Sequence, residues 1–301
     1  MQLRAITHRQ ALLLMLVTTL MWSIGGVTTR FLEQAKSFEI TFWRSLVAAL
    51  TVLALLAATQ GRVAFVRMRH AGPTLWFSGI CWAVMFSCFM IAMSLTTVAN
   101  VLITQSLGPV FTALLGVVWL RRRLPLASWL AIGVAAAGIA LMYAYDVAGM
   151  SAGHILGVTV AMGIPVFSAI NWTLLQRGGQ DLDFSAAVLI GGLISCLVML
   201  PLAWPFTANA HDLALLTLLG VVQLGVPCVL AVRAARGLAS HETSLLALLE
   251  VIFGIVWTVL FAGERPGITT LIGGAMVLAA LAWQSLHSAR ERNAMSPGAV
   301  A

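Results

Sequence analysis

Charge is what this chain lacks. Of its 301 residues only 9% are Asp, Glu, Lys or Arg, against 60% that are hydrophobic, whereas a soluble domain carries about 25% charged residues. Such a chain cannot cover a water-facing surface, so its solvent must be lipid. Lysine is all but missing: Lys36 stands alone and follows Ala35. A P-loop needs Gly-Lys-Ser/Thr to cradle phosphates, which rules out ATP hydrolysis through that motif. Cysteine is scarce, and Cys81, Cys88, Cys196 and Cys228 all lie inside apolar runs without CxxC spacing. That placement argues against a disulfide framework and a metal site. None of the six histidines begins an His-Glu-x-x-His pair, which counts against a metalloprotease but not against every intramembrane enzyme. The net charge of +7 is scattered over short loops, so it points to membrane orientation rather than to nucleic acid.

What the chain has is apolar length. Runs of roughly 20 residues are long enough to cross a bilayer as helices, and ten occur: 11–30, 39–59, 73–95, 98–120, 126–145, 153–175, 184–205, 212–232, 241–262 and 267–287. The first has no small-x-small cleavage site and nine runs follow it, so it reads as a retained helix rather than a signal peptide. The longest connection, residues 60–72, has no room for a soluble domain.

One loop occurs twice. Trp119 to Pro125 reads Trp-Leu-Arg-Arg-Arg-Leu-Pro, and Leu260 to Pro266 reads Leu-Phe-Ala-Gly-Glu-Arg-Pro. Each precedes a Gly-bearing apolar run, with Gly133 and Gly138 in one half and Gly273 and Gly274 in the other. The chain therefore divides into two halves of one design, residues 1–148 and 149–290, with a tail at 291–301. With the N-terminus inside, the inner segments carry 13 basic residues (Arg4, Arg9, Arg62, Arg67, Arg69, Arg121, Arg122, Arg123, Arg177, Arg233, Arg236, Arg290, Arg292). The outer loops carry 3, Arg30, Lys36 and Arg265, and Arg44 lies within a span. That bias puts both termini inside. Five spans per half is an odd number, so the second half enters the membrane inverted, the arrangement of many secondary transporters.

Polar groups inside the spans mark candidate sites, since a charge at mid-membrane costs roughly 2.5–3.5 kcal/mol on insertion scales. Glu250 lies near the middle of the ninth run, and Thr243, Gly254 and Trp257 share its face by helical spacing. It is the candidate proton carrier; the alternative is a carboxyl neutralised by a structural hydrogen bond. Arg44, about six residues into the second run, can snorkel outward, pair with an acid such as Glu250, or receive an anionic substrate group. Asn100 and Thr104 share a face with Gly108, and Gln105 lies beside them; Asn171, Trp172 and Gln223 lie in later runs, with His241 and Glu242 at the inner mouth of the ninth. For a single Asn or Gln, interhelical bonding outweighs ligand contact. Trp22 and Trp82 are the tryptophans near mid-depth, and Ser23 and Gly26 beside Trp22 permit close backbone approach. Gly25-Gly26 in the first run is answered by Gly163 and Pro165 in the sixth, and Gly108-Pro109 and Gly225 with Pro227 add further expected helix breaks. Paired breaks in matching spans point to a carrier's central site.

At these residues the chain resembles the drug/metabolite transporter superfamily, specifically its EamA-type ten-helix members, over residues 11–287. The matching positions are Trp22-Ser23 with Arg30, Arg44 with Leu46 and Ala48, Leu107-Gly108-Pro109, Leu249-Glu250, Gly263-Glu264 and Gly273-Gly274. Two positions depart from the family pattern. Arg122-Arg123 stands where Gly-Glu is usual, and Val251 follows Glu250 where Pro is common. The resemblance implies an inner-membrane exporter of amino acids, other metabolites or drugs, with a cavity between the halves and alternating access.

The expectation is thus an all-α membrane protein of ten transmembrane helices in two inverted five-helix repeats. It would export a small metabolite, an amino acid or a related amphipathic solute, by alternating access, driven by protons or by the solute's own gradient. The expected cavity residues are Trp22, Ser23, Arg44, Trp82, Asn100, Thr104, Asn171, Gln223, Glu250 and Trp257, with Glu250 as the coupling candidate. No metal and no cofactor are expected; the partners are a small-molecule substrate and the lipid bilayer, and a homodimer stays open. The rival readings are a translocator of lipid-linked substrates, an intramembrane enzyme, which would need a converging nucleophile and base, and a non-transporting subunit.

Overall fold

Long apolar runs fold as helices in lipid because each main-chain N–H and C=O must find its partner within the segment. A computed structural model of the protein describes residues 7–120, 126–144, 152–177, 185–234, 237–238 and 240–295. Arg121, Arg122, Arg123 and Pro125 lie outside the described residues, as do several helical side chains, among them Trp119, Trp172, His241, Glu242 and Thr243. The fold is helical, with no strand among the described residues. The first half contains α1 (His8–Thr29), α2 (Ser37–Gln60), α3 (Arg62–His70), α4 (Pro73–Leu95), α5 (Val98–Gln105), α6 (Gly108–Leu120) and α7 (Leu126–Ala144). The second contains α8 (Ala152–Arg177), α9 (Ser185–Ala203), α10 (Ala210–Leu218), a π-helical stretch (Leu219–Gly225), α11 (Val226–Ala234), α12 (Ser240–Phe261) and α13 (Ile268–Met295).

Among the described residues seven stretches are long and apolar enough to cross a membrane, two of them formed by consecutive helices: Val98–Leu115 and Ala210–Ala231. Three shorter apolar stretches, Leu126–Leu141, Leu246–Phe261 and Ile268–Gln284, fall in the remaining expected runs. Local chemistry sets the ends. Thr7 and Gln10 form a capping box at the start of α1, Gly61 turns the chain after α2 at φ 59°, and Pro73 opens α4.

The structure departs from the expectations in three places. Residues 62–70 of the expected inner loop form the helix α3, with Ala64 and Met68 turned toward the core. Helix α13 continues to Met295, so the start of the expected tail is helical. Neither Gly25-Gly26 nor Gly163 and Pro165 breaks its helix: α1 and α8 run continuously through them. These glycines serve close approach instead. A Cβ on Gly25 would lie 3.0 Å from the Gln223 amide nitrogen, and one on Gly163 would lie 2.8 Å from Cys88 Sγ. The observed interruptions are the turn at Ser106–Leu107 and the π-helical stretch ahead of Pro227.

Packing relates the two halves by exchange. Helix α2 packs on α9, and α7 on α13. Contact of α4 with α8 is matched by α1 with α11 and the π-helical stretch; α4 with α9 is matched by α2 with that stretch and α10; α1 with α12 is matched by α8 with α5 and α6. The two Gly-bearing runs that follow the repeated loop meet each other, since a Cβ on Gly138 would lie 2.6 Å from the Gly273 carbonyl oxygen. Small residues at such crossings let helix backbones approach closely, which drives association where lipid offers no hydrophobic gain.

Candidate functional site

Glu250 sits midway along α12, 7% exposed. Both carboxyl oxygens accept hydrogen bonds of 3.2 Å from Gln105 Nε2, which belongs to the last residue of α5. Further along the same face, Gly254 admits Leu102, and the Trp257 indole N–H donates to Ser23 Oγ at 3.0 Å. Trp257 also stacks on Phe253, with ring centroids 6.4 Å apart. The Glu250 face of α12 thus packs on α1 and α5. Thr243, expected on that face, has a side chain outside the described residues.

Arg44 is 1% exposed. It neither snorkels nor meets Glu250: among the described residues no carboxylate lies within ion-pair distance of it. Its Nη1 donates to Gln223 Oε1 at 2.9 Å and its Nη2 to the Phe86 carbonyl at 3.2 Å. The guanidinium carbon stands 5.8 Å from the Phe86 ring centroid and 5.5 Å from that of Phe89. Its buried Nε–H finds no acceptor among the described residues. Cys228 on α11 is buried in the cluster that also contains Phe86.

The remaining expected residues divide among separate contacts. Asn100 Nδ2 bonds Thr96 Oγ1 at 3.2 Å and lies 3.1 Å from His154 Nε2, joining α5 to α8. Asn171 accepts from Ser78 Oγ at 2.6 Å, joining α8 to α4. Trp82 packs beside Phe86, ring centroids 5.4 Å apart, and Trp22 packs on the cluster that contains Phe86 and Cys228. Thr104 is fully buried. Arg44, Gln223, Trp22 and Trp82 therefore form one neighbourhood around Phe86, while Glu250, Asn100 and Asn171 stand in contacts of their own.

Sequence reasoning missed a set of carboxylates at one end of the bundle. Asp212, 0% exposed, accepts from the main-chain N–H groups of Glu33 (2.8 Å), Gln34 (2.9 Å) and Ala35 (2.8 Å). Glu39, equally buried, accepts from the N–H groups of Thr207 and Ala208, each at 2.9 Å. Each half thus holds the other's loop with an acid. At the same end Arg30 pairs with Glu264 at 3.1 Å and donates to the Met93 and Thr96 carbonyls, while Glu264 accepts from Val98 N at 2.9 Å. The only sequence signal of Asp212 and Glu39 is an acid beside an apolar run, which an ordinary interfacial residue gives equally.

A bundle of long apolar helices, built from two exchange-related halves with buried charges near their contact, is the architecture of a multi-pass membrane transporter. The sequence profile of the EamA-like transporter family matches residues 9–144 and again 155–286, and the chain belongs to that family. It is a transporter of the drug/metabolite superfamily and not an enzyme. The chain is 27% identical over 250 residues to the pseudopaline exporter CntI of Pseudomonas aeruginosa, covering 80% of this chain and 84% of the relative. It is 20% identical over 279 residues to solute carrier family 35 member G1 of Homo sapiens, covering 88% of this chain and 75% of that one. One protein of known crystal structure matches with TM-score 0.67 at 17% identity, over 94% of this chain and 99% of its own. That likeness speaks for the fold alone.

Proposed function

We propose that the protein is a secondary carrier of the cell's inner membrane that exports a small polar or amphipathic metabolite by alternating access. Ten helices span the bilayer as two inverted five-helix halves, residues 1–148 and 149–290. Both termini lie in the cytoplasm, and residues 291–301 form a tail there. The 13 to 3 distribution of basic residues supports this orientation, and the exchange-related packing supports two halves that move against each other. The name of the Pseudomonas aeruginosa relative supports outward movement.

One observation carries the reading. Glu250 is a carboxyl buried at the contact of α12 with α5, held only by a neutral amide among the described residues. An ion pair would fix its charge. A lone amide leaves the proton free to come and go, as coupling to a proton gradient requires. With no P-loop present, the drive is the proton gradient or the solute's own. Comparing metabolites inside and outside cells, with and without the protein, tests the reading. Accumulation of at least one solute inside cells lacking it is expected. A broad panel with no changed efflux, in cells holding folded protein, overturns the carrier reading.

A further inference from the structure

Every charged residue of α3 is an arginine: Arg62, Arg67 and Arg69. The chain has no Asp or Glu between Glu39 and Asp146. Among the described residues neither Arg62 nor Arg69 has a carboxylate within ion-pair distance; the Arg67 side chain lies outside them. The two sides of this helix differ. Ala64 and Met68, one turn apart, face the core, and Met68 also packs in a cluster with Leu75 of α4 and Ala187 of α9. On the other side Arg62, Val66 and Arg69 share a stripe by i+4 and i+7 spacing, with Val63 one turn before Val66. Both arginines are exposed, and Val63 and Val66 are 53% and 56% exposed.

Exposed arginine alone makes an ordinary water-facing surface, but valine interleaved with it gains nothing from water. That mixture suits the boundary between lipid headgroups and acyl chains, where valine enters the apolar layer and a guanidinium reaches a phosphate. The position of α3 agrees. It lies between the end of α2 at Gln60 and the start of α4 at Pro73, so two spans tie it to the membrane surface. Met68 and Leu75 share a cluster, which sets the exposed Trp76 and Phe77 of α4 near the level of α3. Tryptophan near the end of a spanning helix marks the membrane–water interface.

We propose that the outer face of α3 is a docking site for an anionic phospholipid, with Arg62 and Arg69 on its phosphate-bearing headgroup and Val63 and Val66 against its acyl chains. Charge selects the lipid class: a guanidinium fork engages phosphate oxygens in charge-assisted pairs, and a headgroup with no compensating cation leaves that attraction whole. A soluble acidic partner would satisfy the arginines but would have to cover the valines as well, whereas the bilayer already stands against them. Through Ala64 and Met68 the helix rests on the cluster that holds Phe86, Trp22 and Trp82, so the docked lipid lies one side-chain layer from the Arg44 neighbourhood. The inference needs the membrane-spanning fold but neither the direction nor the substrate of transport.

The test uses purified full-length protein in a neutral detergent, titrated with phosphatidylglycerol and, separately, with phosphatidylcholine of the same acyl chains. Retained lipid is counted by native mass spectrometry, and the unfolding temperature is read alongside. Phosphatidylglycerol should be retained and should raise the unfolding temperature. Phosphatidylcholine should do neither at matched concentration, and the difference should shrink as salt is raised. The double variant Arg62→Gln, Arg69→Gln should melt like the wild type without lipid, because both side chains are exposed. It should bind phosphatidylglycerol about twenty-five-fold more weakly, at about fivefold for each arginine beside an anionic headgroup. Val63→Ser with Val66→Ser, which keeps both arginines, should also weaken retention; unchanged retention there overturns the assignment. Arg233→Gln removes an exposed arginine in the last turn of α11 and should leave retention within about twofold of the wild type. A loss in Arg233→Gln equal to that of the double variant shows charge acting over the whole surface and overturns the site. So does equal retention of phosphatidylcholine, or a thermal shift of the same size from inorganic phosphate or from poly-L-glutamate.

Discussion

Trp257 donates its indole N–H to the Ser23 hydroxyl across the α1–α12 contact and packs its rings against Phe253 and Phe261. Trp257→Phe deletes the donor, and the Ser23 hydroxyl keeps its own bond to the Leu20 carbonyl at 2.8 Å. The expected loss is about 1–3 kcal/mol, from the bond and the smaller ring together, read as a fall in unfolding temperature. Glu250→Gln has the opposite signature. It should leave folding nearly intact, since an amide can still bond Gln105, and abolish proton-dependent flux; flux that varies with pH as in the wild type removes Glu250 from coupling. Glu250 was legible in the sequence because a carboxyl in the middle of an apolar run has few innocent explanations. Its partner was not. Gln105 lies 145 residues away in the chain, and no local spacing says which of several buried amides an acid will face. Arg44 shows the same limit, since burial was legible and Gln223 was not.

At the scale of helices, the helical character of the long apolar runs was legible because in lipid length and hydrophobicity leave few alternatives to a helix, whereas their ends were not, since α3 fills part of an expected loop and α13 runs on to Met295. The breaks were harder to read. Gly-Gly in α1 and Pro165 in α8 carry the composition of a break but lie in continuous helices, because neighbouring helices fill the space and hold the backbone. The π-helical stretch carries no composition signal beyond Gly220, its terminal Gly225 and the later Pro227. Glycine can instead be sorted by what stands opposite it. A Cβ on Gly191 would press on Trp82 and lie 2.9 Å from the Gly79 carbonyl, so Gly191→Val should separate α9 from α4, lowering yield and unfolding temperature sharply. Gly133 has open space before it. Gly133→Ala should keep or raise the unfolding temperature, by up to about 1 kcal/mol through helix propensity. A thermal scan of the two variants side by side checks both.

For the molecule as a whole, the acids at the clamped end act between halves rather than within them. Asp212→Asn should harm nearly as much as Asp212→Ala. Three main-chain N–H groups converge on the carboxylate, and the amide's own N–H₂ would face donors instead of acceptors. Both variants should unfold several degrees earlier, at roughly 1–3 kcal/mol for buried donors left unpaired. A wild-type melting curve for Asp212→Asn would show that the bonds carry no weight. The repeat itself was legible from one loop copied with altered charge. The clamp was not, because it depends on which loops meet once the halves interlock.

Asp212 and Glu39 together occupy five main-chain N–H groups, three in the loop after α1 and two in the loop after α9. When the loops part, these donors lose their carboxylates and turn to water. Any movement that opens this end must deliver solvent to all five as it happens, so opening and wetting are one event there. The end therefore has no dry, half-open intermediate, and its opening should slow when water activity is lowered by an excluded solute too large to enter.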